Sequence, residues 1–376
     1  MKQVRSITAL AVLAVIAACA EGEAPLGPES TEAAPYFAKL GPTAAYGSYI
    51  VVLEEGANPR SVAAIAGIRP NLVYEAALNG FSADLNHGQL TALRHNPNVA
   101  YIEGDQLVTL APPPGKGGGG GGGGQVTPWG VSYVGGPFDG SGRTAWVIDS
   151  GVDLDHPDLN VDLARSVNFV TQGQSSPDDG NGHGTHVAGT IGALNNGIDV
   201  VGVAAGATIV AVRVLSNSGS GQYSWVIGGV DHVAANGASG DVANMSLGGP
   251  VSTALDNAVA SAASRGIRFV LAAGNDGDFA GNHSPARVNG SNIYTISAIA
   301  SNGCLTSWSN YGSPPVDYAE PGSSILSTRK GGGTTTMSGT SMAAPHAAGL
   351  LLLGNISTIG SACGDRDGNP DPIGGR

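Results

Sequence analysis

Gly339-Thr340-Ser341-Met342-Ala343-Ala344-Pro345-His346 opens an apolar run that continues to Leu353. The run reads as a buried helix whose first turn carries a hydroxyl, entered through a glycine. Working upstream, three other segments share its character. They are Ala272-Ala273-Gly274-Asn275, Gly182-His183-Gly184-Thr185-His186-Val187-Ala188-Gly189 and Val147-Ile148-Asp149-Ser150-Gly151-Val152-Asp153. Each puts one polar side chain in a small-residue turn beside an apolar stretch. The resulting order is acid, imidazole, amide, hydroxyl: Asp149, His183, Asn275, Ser341. A serine hydroxyl is a weak nucleophile at neutral pH. It needs a base within hydrogen-bond reach, and the base needs an acid to orient it. The Asn275 amide and the Ser341 backbone N–H can donate to the oxyanion of an attacked carbonyl, and a helix N-terminus favours that charge. Taken alone, Ser341 reads as an N-cap and Asn275 as a turn residue before Asp276-Gly277. The four segments together favour chemistry.

Between these segments strands and helices alternate. Strands are expected over 144–148, 208–215, 242–245, 267–271 and 293–299. Residues 183–194 are expected to begin as a loop and continue as a helix, and further helices are expected over 225–235, 253–265 and 341–353. This pattern predicts an α/β fold: a doubly wound, mainly parallel sheet with helices on both faces. Asp149 and Asn275 each follow an apolar strand directly, at the carboxyl edge where such sheets place their sites. No G-x-S-x-G turn occurs, which counts against the esterase elbow. His183 and His186 form H-x-x-H, but no Glu lies between Gly104 and Glu320, so a zinc helix is not expected and His186 reads as structural. Asp153, Asp155 and Asp158 read as solvated or turn-forming.

Ahead of this domain, residues 49–53, 73–78, 80–85 and 99–103 read as strands, with Asn79-Gly80 as a hairpin turn. Helices are expected after Asn58-Pro59 up to Gly67, and over 89–95. The order β-α-β-β-α-β is a small ferredoxin-like α+β module. It is marginal by itself and would gain from a partner surface.

These motifs closely resemble the subtilisin-like serine peptidases, in their proteinase K-like branch, and the module resembles the inhibitor propeptide that precedes them. The resemblance covers roughly residues 48 to 363. It implies a secreted serine endopeptidase working through an acyl-enzyme, with Asp149, His183 and Ser341 as triad and Asn275 at the oxyanion. It also implies protein or peptide substrates, and a propeptide that serves as intramolecular inhibitor and chaperone. Gly219, Ser220, Gly221 and Tyr223 on one side, with Ser246, Leu247 and Gly248 on the other, would flank an extended substrate. Ala272, Ala273 and Gly274 would line the S1 wall, with no counter-charge there, so apolar or aromatic P1 residues are expected. The first cut is expected between Gln106 and Gly117. No cofactor is implied for the chemistry. A structural calcium is implied at Asp317, with carbonyls from 291–293. The loop Asp365-Arg366-Asp367-Gly368-Asn369-Pro370-Asp371 alternates oxygen ligands, but a disordered acidic tail is the favoured reading. About 35 residues follow Ser341, fewer than the resemblance leads one to expect, which puts closing elements in question.

Only 12% of residues are charged, 60 are glycine and the net charge is −12. No basic cluster offers a footprint for nucleic acid. Lys2 and Arg5 precede a 12-residue apolar stretch, too short to span a bilayer, which reads as an export signal. Ile16-Ala17-Ala18-Cys19 looks like a lipobox that would lipidate Cys19, while Ala18-Cys19-Ala20 also fits ordinary signal cleavage; the first is favoured. The product is expected outside the cytoplasm, as a monomer whose only membrane contact is a lipid anchor. The remaining Cys304 and Cys363 are either a disulfide, slightly favoured in an oxidising compartment, or two buried thiols. The expected organisation is signal 1–19, flexible tether 20–46, propeptide 47–108, Pro/Gly linker 109–124 with eight consecutive glycines, and catalytic domain 125–376.

Overall fold

The computed structural model describes residues 33–37, 44–110, 124–171, 173 and 175–376. The signal with Cys19, most of the tether and linker residues 111–123 lie outside the described residues.

The large lobe is built on one sheet. Its order is Ser357–Ser361, Pro372–Gly375, Val316–Pro321, Ile293–Ile299, Arg268–Ala272, Val242–Met245, Thr144–Asp149, Thr208–Arg213 and Asn160–Val161. All neighbours are parallel except the first pair. Each central strand buries both faces. Ala145 and Val147 pack with helices His183–Gly192 and Thr340–Leu352, while Trp146 and Ile148 pack with helices Tyr223–Asn236 and Thr253–Ala263. That is why these strands read as continuous apolar runs rather than alternating ones.

The tail is not disordered. Strands Ser357–Ser361 and Pro372–Gly375 add to the sheet edge, and a disulfide joins Cys304 to Cys363. The acidic loop turns on its own side chains: Asp365 accepts the Asp367 and Asp371 N–H groups. Asp371 is buried and accepts the Ser297 hydroxyl at 2.6 Å. These short strands, Ser357-Thr358-Ile359-Gly360-Ser361 and Pro372-Ile373-Gly374-Gly375, carry one isoleucine each and no apolar pattern to announce them.

The small lobe has the expected element order, in a sheet ordered Tyr36–Phe37, Val99–Thr109, Ala44–Leu53, Gly80–Asp84, Leu72–Tyr74. Its first helix, Pro59–Ile65, is capped by Asn58, which accepts the Ser61 N–H. Its second, His87–Arg94, has a capping box formed by Asn86 and Gln89.

Two further sequence expectations, both in the small lobe, are corrected. The tether is structured where it can reach the sheet edge: Ala34 N–H donates to Arg94 O, Ile102 N–H donates to Pro35 O, and the Arg94 guanidinium lies over the Tyr36 ring. Asn79-Gly80 is not a two-residue hairpin. Tyr74 pairs with Gly80, so the connection is residues 75–79, and Gly80 is needed because a β-carbon there would collide with Val51 O. The connection takes its shape from the other lobe. The Asp231 carboxylate receives the N–H groups of Glu75, Ala76, Ala77 and Leu78.

Two further carboxylates join the lobes. Glu103 accepts the Ala254 N–H at the start of helix Thr253–Ala263, and Asp105 accepts the Ser224 N–H at the start of helix Tyr223–Asn236. Tyr74, fully buried, donates its hydroxyl to Ser224 O at 2.9 Å. Burial pushes the pKa of both Glu103 and Asp105 up, against the hydrogen bonds they accept. The charges facing them are Asp256 with its partner Arg287, and Asp84. Raised values in the docked state mean that docking takes up protons. The contribution is fully present below the ordinary carboxylate range, around pH 4, and is lost as pH rises through the raised values. The dissociation constant of the small lobe from a Ser341→Ala large lobe is therefore expected to be flat below about pH 4 and to rise above it. Fluorescence titration across pH measures this; tightening with rising pH would contradict the assignment.

Candidate active site

Because the sheet is parallel, three adjacent strands deliver their carboxyl ends side by side. Strand Thr144–Asp149 ends on Asp149, Val242–Met245 leads into Ser246, and Arg268–Ala272 leads through Ala273 and Gly274 to Asn275. His183 and Ser341 come from the opposite direction, at the starts of helices His183–Gly192 and Thr340–Leu352. The imidazole is itself the first helical residue, where the sequence suggested a loop.

Asp149 is fully buried and receives the His183 Nδ1–H, 2.9 Å from each oxygen. This fixes the tautomer and leaves Nε2 as the ring nitrogen not bonded to Asp149. Burial alone would lower the His183 pKa, but the Asp149 charge and hydrogen bond, helped by Asp179, hold it above the usual histidine value. His186 is buried and its Nε2 donates to Ile325 O at 3.0 Å. Burial, then the His183 charge, pull its pKa down to about 3, so it is a neutral structural side chain. Among the described residues no three His, Cys, Asp or Glu side chains gather as metal ligands.

Ser341 Oγ donates to Ser246 O at 3.1 Å, and Ser246 Oγ donates back to Ser341 O at 2.8 Å. This double link ties the helix start to the neighbouring strand end. The Asn275 amide is oriented without ambiguity. Its Oδ1 accepts both the N–H and the hydroxyl of Thr340, at 2.8 and 2.9 Å. Thr340 Oγ1 accepts the Gly274 N–H in turn. Nδ2 is thereby left as the donor on the side of the cleft. Gly274 has φ +109, and a β-carbon there would strike the Asn310 amide, so only glycine fits that wall.

One open pocket joins Ser341, Asn275, Ala272 to Gly274 and Ser246 to Gly249. The expected absence of charge is corrected: Asp276 and His283 also line it. His283 Nε2 lies 3.3 Å from an Asp278 oxygen and Nδ1 4.0 Å from Asp276. The chain after Asn275 turns back on itself to bring residue 283 there, which the sequence does not reveal.

The cleft holds a peptide segment. Leu107, Val108 and Thr109 pair antiparallel with Gln222, Gly221 and Ser220. Thr109 also bridges Gly248 on the other side, and Leu110 N–H donates to Gly219 O at 2.8 Å. Both expected rails thus grip one extended strand. Tyr223 stands behind them, buried, with its hydroxyl on Pro250 O.

Sequence reasoning missed an oxygen-lined cage on another edge. The Gln125 side-chain amide meets the carbonyls of Leu194, Val200 and Ile198 at 2.6, 3.1 and 3.4 Å. Asp158 beside it is fully buried, with Oδ2 on the Val200 N–H and Oδ1 unpartnered. Burial pushes its pKa up to about 7. Asp317 shows less convergence: one oxygen accepts the Thr295 N–H, and burial raises its pKa to about 6.

Comparison with known proteins identifies the family. Residues 140–354 match the subtilase family model, and residues 48–111 match the peptidase inhibitor I9 model. The chain is 43% identical over 297 residues to alkaline serine exoprotease A of Vibrio alginolyticus, covering 76% of this chain and 53% of that protein, so it spans about half of that relative's length. It is 38% identical over 338 residues to proteinase R of Parengyodontium album, covering 84% and 81%. A crystal structure of a cold adapted subtilisin-like serine proteinase superposes with a TM-score of 0.58 at 41% identity, covering 65% of this chain and 96% of that one. The chain belongs to the subtilase family. It is a subtilisin-like serine endopeptidase preceded by an inhibitor-type propeptide.

Proposed function

We propose that this protein is an exported, self-processing endopeptidase in which Asp149, His183 and Ser341 form the triad and Asn275 Nδ2 with the Ser341 N–H binds the oxyanion. The observation that carries the reading is the strand 107–110 held between the rails, leading towards the pocket of Ser341 and Asn275. In the reaction the Ser341 hydroxyl turns from Ser246 O to His183 Nε2, gives up its proton there and attacks the carbonyl carbon. The imidazolium, steadied by Asp149, then protonates the leaving amine, and water reverses the sequence on the acyl-enzyme. The first cut lies past Leu110 and before Gly117, and the mature terminus lies near Gln125. Export rests on the leader, and the Cys304–Cys363 disulfide suits an oxidising compartment. A lipid on Cys19 would anchor a monomer. A fluorophosphonate probe is expected to label the matured protein at Ser341, and Ser341→Ala to lose labelling, hydrolysis and self-processing. Normal processing of Ser341→Ala in the absence of other proteases would overturn the reading.

Specificity follows from the pocket. Its Ala and Gly walls suit apolar or aromatic P1 side chains, and Asp276 extends tolerance to basic ones. A peptide library is expected to rank apolar and aromatic P1 first, Lys and Arg behind them, and Asp and Glu last. A strict Lys/Arg requirement, or a preference for acidic P1, would contradict it.

Structural calcium is proposed at the Asp158 cage. An amide NH₂ has two hydrogens and cannot serve three carbonyls. Turned over, its oxygen joins those carbonyls, Asp158 and the neighbouring Asn196 as a hard-cation shell. Asp317 is a second proposed site. Calcium is expected to raise Tm in the wild type and to lose that effect in Asp158→Asn. Retention in Asp158→Asn with loss in Asp317→Asn would move the principal site to Asp317.

A further inference from the structure

The turn leading into His183 is built around a buried carboxylate outside the triad. Asp179 is fully buried and receives five hydrogen bonds. Its Oδ1 accepts from Ser150 Oγ at 2.9 Å, Asn181 N at 2.9 Å and Gly182 N at 2.8 Å. Its Oδ2 accepts from Thr185 N at 3.0 Å and Thr185 Oγ1 at 2.6 Å. Ser150 follows Asp149 in the chain, and its hydroxyl accepts the Gly184 N–H at 3.1 Å. Both chain neighbours of His183 are therefore held, Gly182 directly and Gly184 through Ser150. A carboxylate is an acceptor throughout, with about four lone-pair directions, and here donors from three segments use them all.

We propose that Asp179 is a positioning residue for the Asp149–His183 pair, fixing the imidazole through the Ser150 hydroxyl and the N–H groups of Gly182 and Thr185. The inference rests on the catalytic reading of His183. Its electrostatic counterpart is that three groups face the imidazole: Asp149 from the strand, Asp179 from the turn and His186 from its own helix. Of these, Asp149 and Asp179 favour the imidazolium.

The test is Asp179→Asn in the full chain, assayed after maturation per titrated active site. An asparagine must turn an NH₂ towards N–H donors whichever way it faces. The expected result is a kcat loss of about tenfold to a hundredfold with KM held within about twofold, as for a misplaced reacting group. The acid limb of kcat/KM should also move to lower pH, because a negative charge near the imidazole is gone. An unchanged kcat and acid limb, with only Tm lowered, would mean a plain helix cap and overturn the proposal. If Asp179→Asn does not fold, Ser150→Ala decides. It keeps the charge and four of the bonds but cuts the link to Gly184. It should lower kcat without moving the acid limb, and an unchanged kcat would again overturn the proposal. Wild type and Ser341→Ala run alongside: an active wild type with an inactive Ser341→Ala keeps the catalytic reading intact whatever Asp179 does.

Discussion

Parallel pairing is the constraint on which the rest depends. From Thr208–Arg213 to Val316–Pro321 the central strands run in one direction, so every connection must cross a face and every carboxyl end emerges at one edge. Asp149, Ser246 and Asn275 meet for that reason although 126 positions separate the first from the last. The helices that make the crossings then point their first turns at the same edge. His183 and Ser341 are both first-turn residues, placed where backbone N–H groups are still unclaimed.

Those unclaimed N–H groups explain how a chain with only 12% charged residues keeps carboxylates inside. The buried Asp179, Asp105 and Glu103 are met mainly by backbone N–H and hydroxyl donors rather than by cations, as is the half-buried Asp231 by the N–H groups of residues 75–78. Such partners keep their place because the backbone is already ordered, so little side-chain entropy is lost in making the bond. The interface between the lobes uses the same device, with carboxylates of the small lobe at the starts of two helices of the large one.

The segments of the proposed triad were legible because each couples an unusual polar residue to a strong apolar pattern. Val147-Ile148 before Asp149 shows both the strand and its end, and Met342 to Leu353 shows the helix behind Ser341. The rails were legible from glycines at 219, 221 and 248. What stayed hidden depends on distant partners. Residues 75–79 form a wide connection because Asp231 organises them. Residues 33–37 join a sheet because the edge of Val99–Thr109 is free to receive them. The cage at Asp158 is made mostly of backbone carbonyls, which carry no residue signature, and Asp179 looks like one more turn aspartate until its five donors are seen together. His283 reaches the pocket only through the fold of the chain after Asn275.

Leu110 is hydrogen-bonded in the cleft while Gln125 and Val126 are bonded to Gly197 and Asp199 in the same uncut chain. Both anchored ends thus hold their places before any bond is broken. On the self-processing reading proposed above, cleavage between them does not need to build or release either one; it changes the order of the reaction. Before the cut the inhibitor acts within one molecule, at an effective concentration that dilution cannot touch. On that reading the same contacts answer to mass action after the cut, and the dispersal that follows export becomes the agent that frees the enzyme.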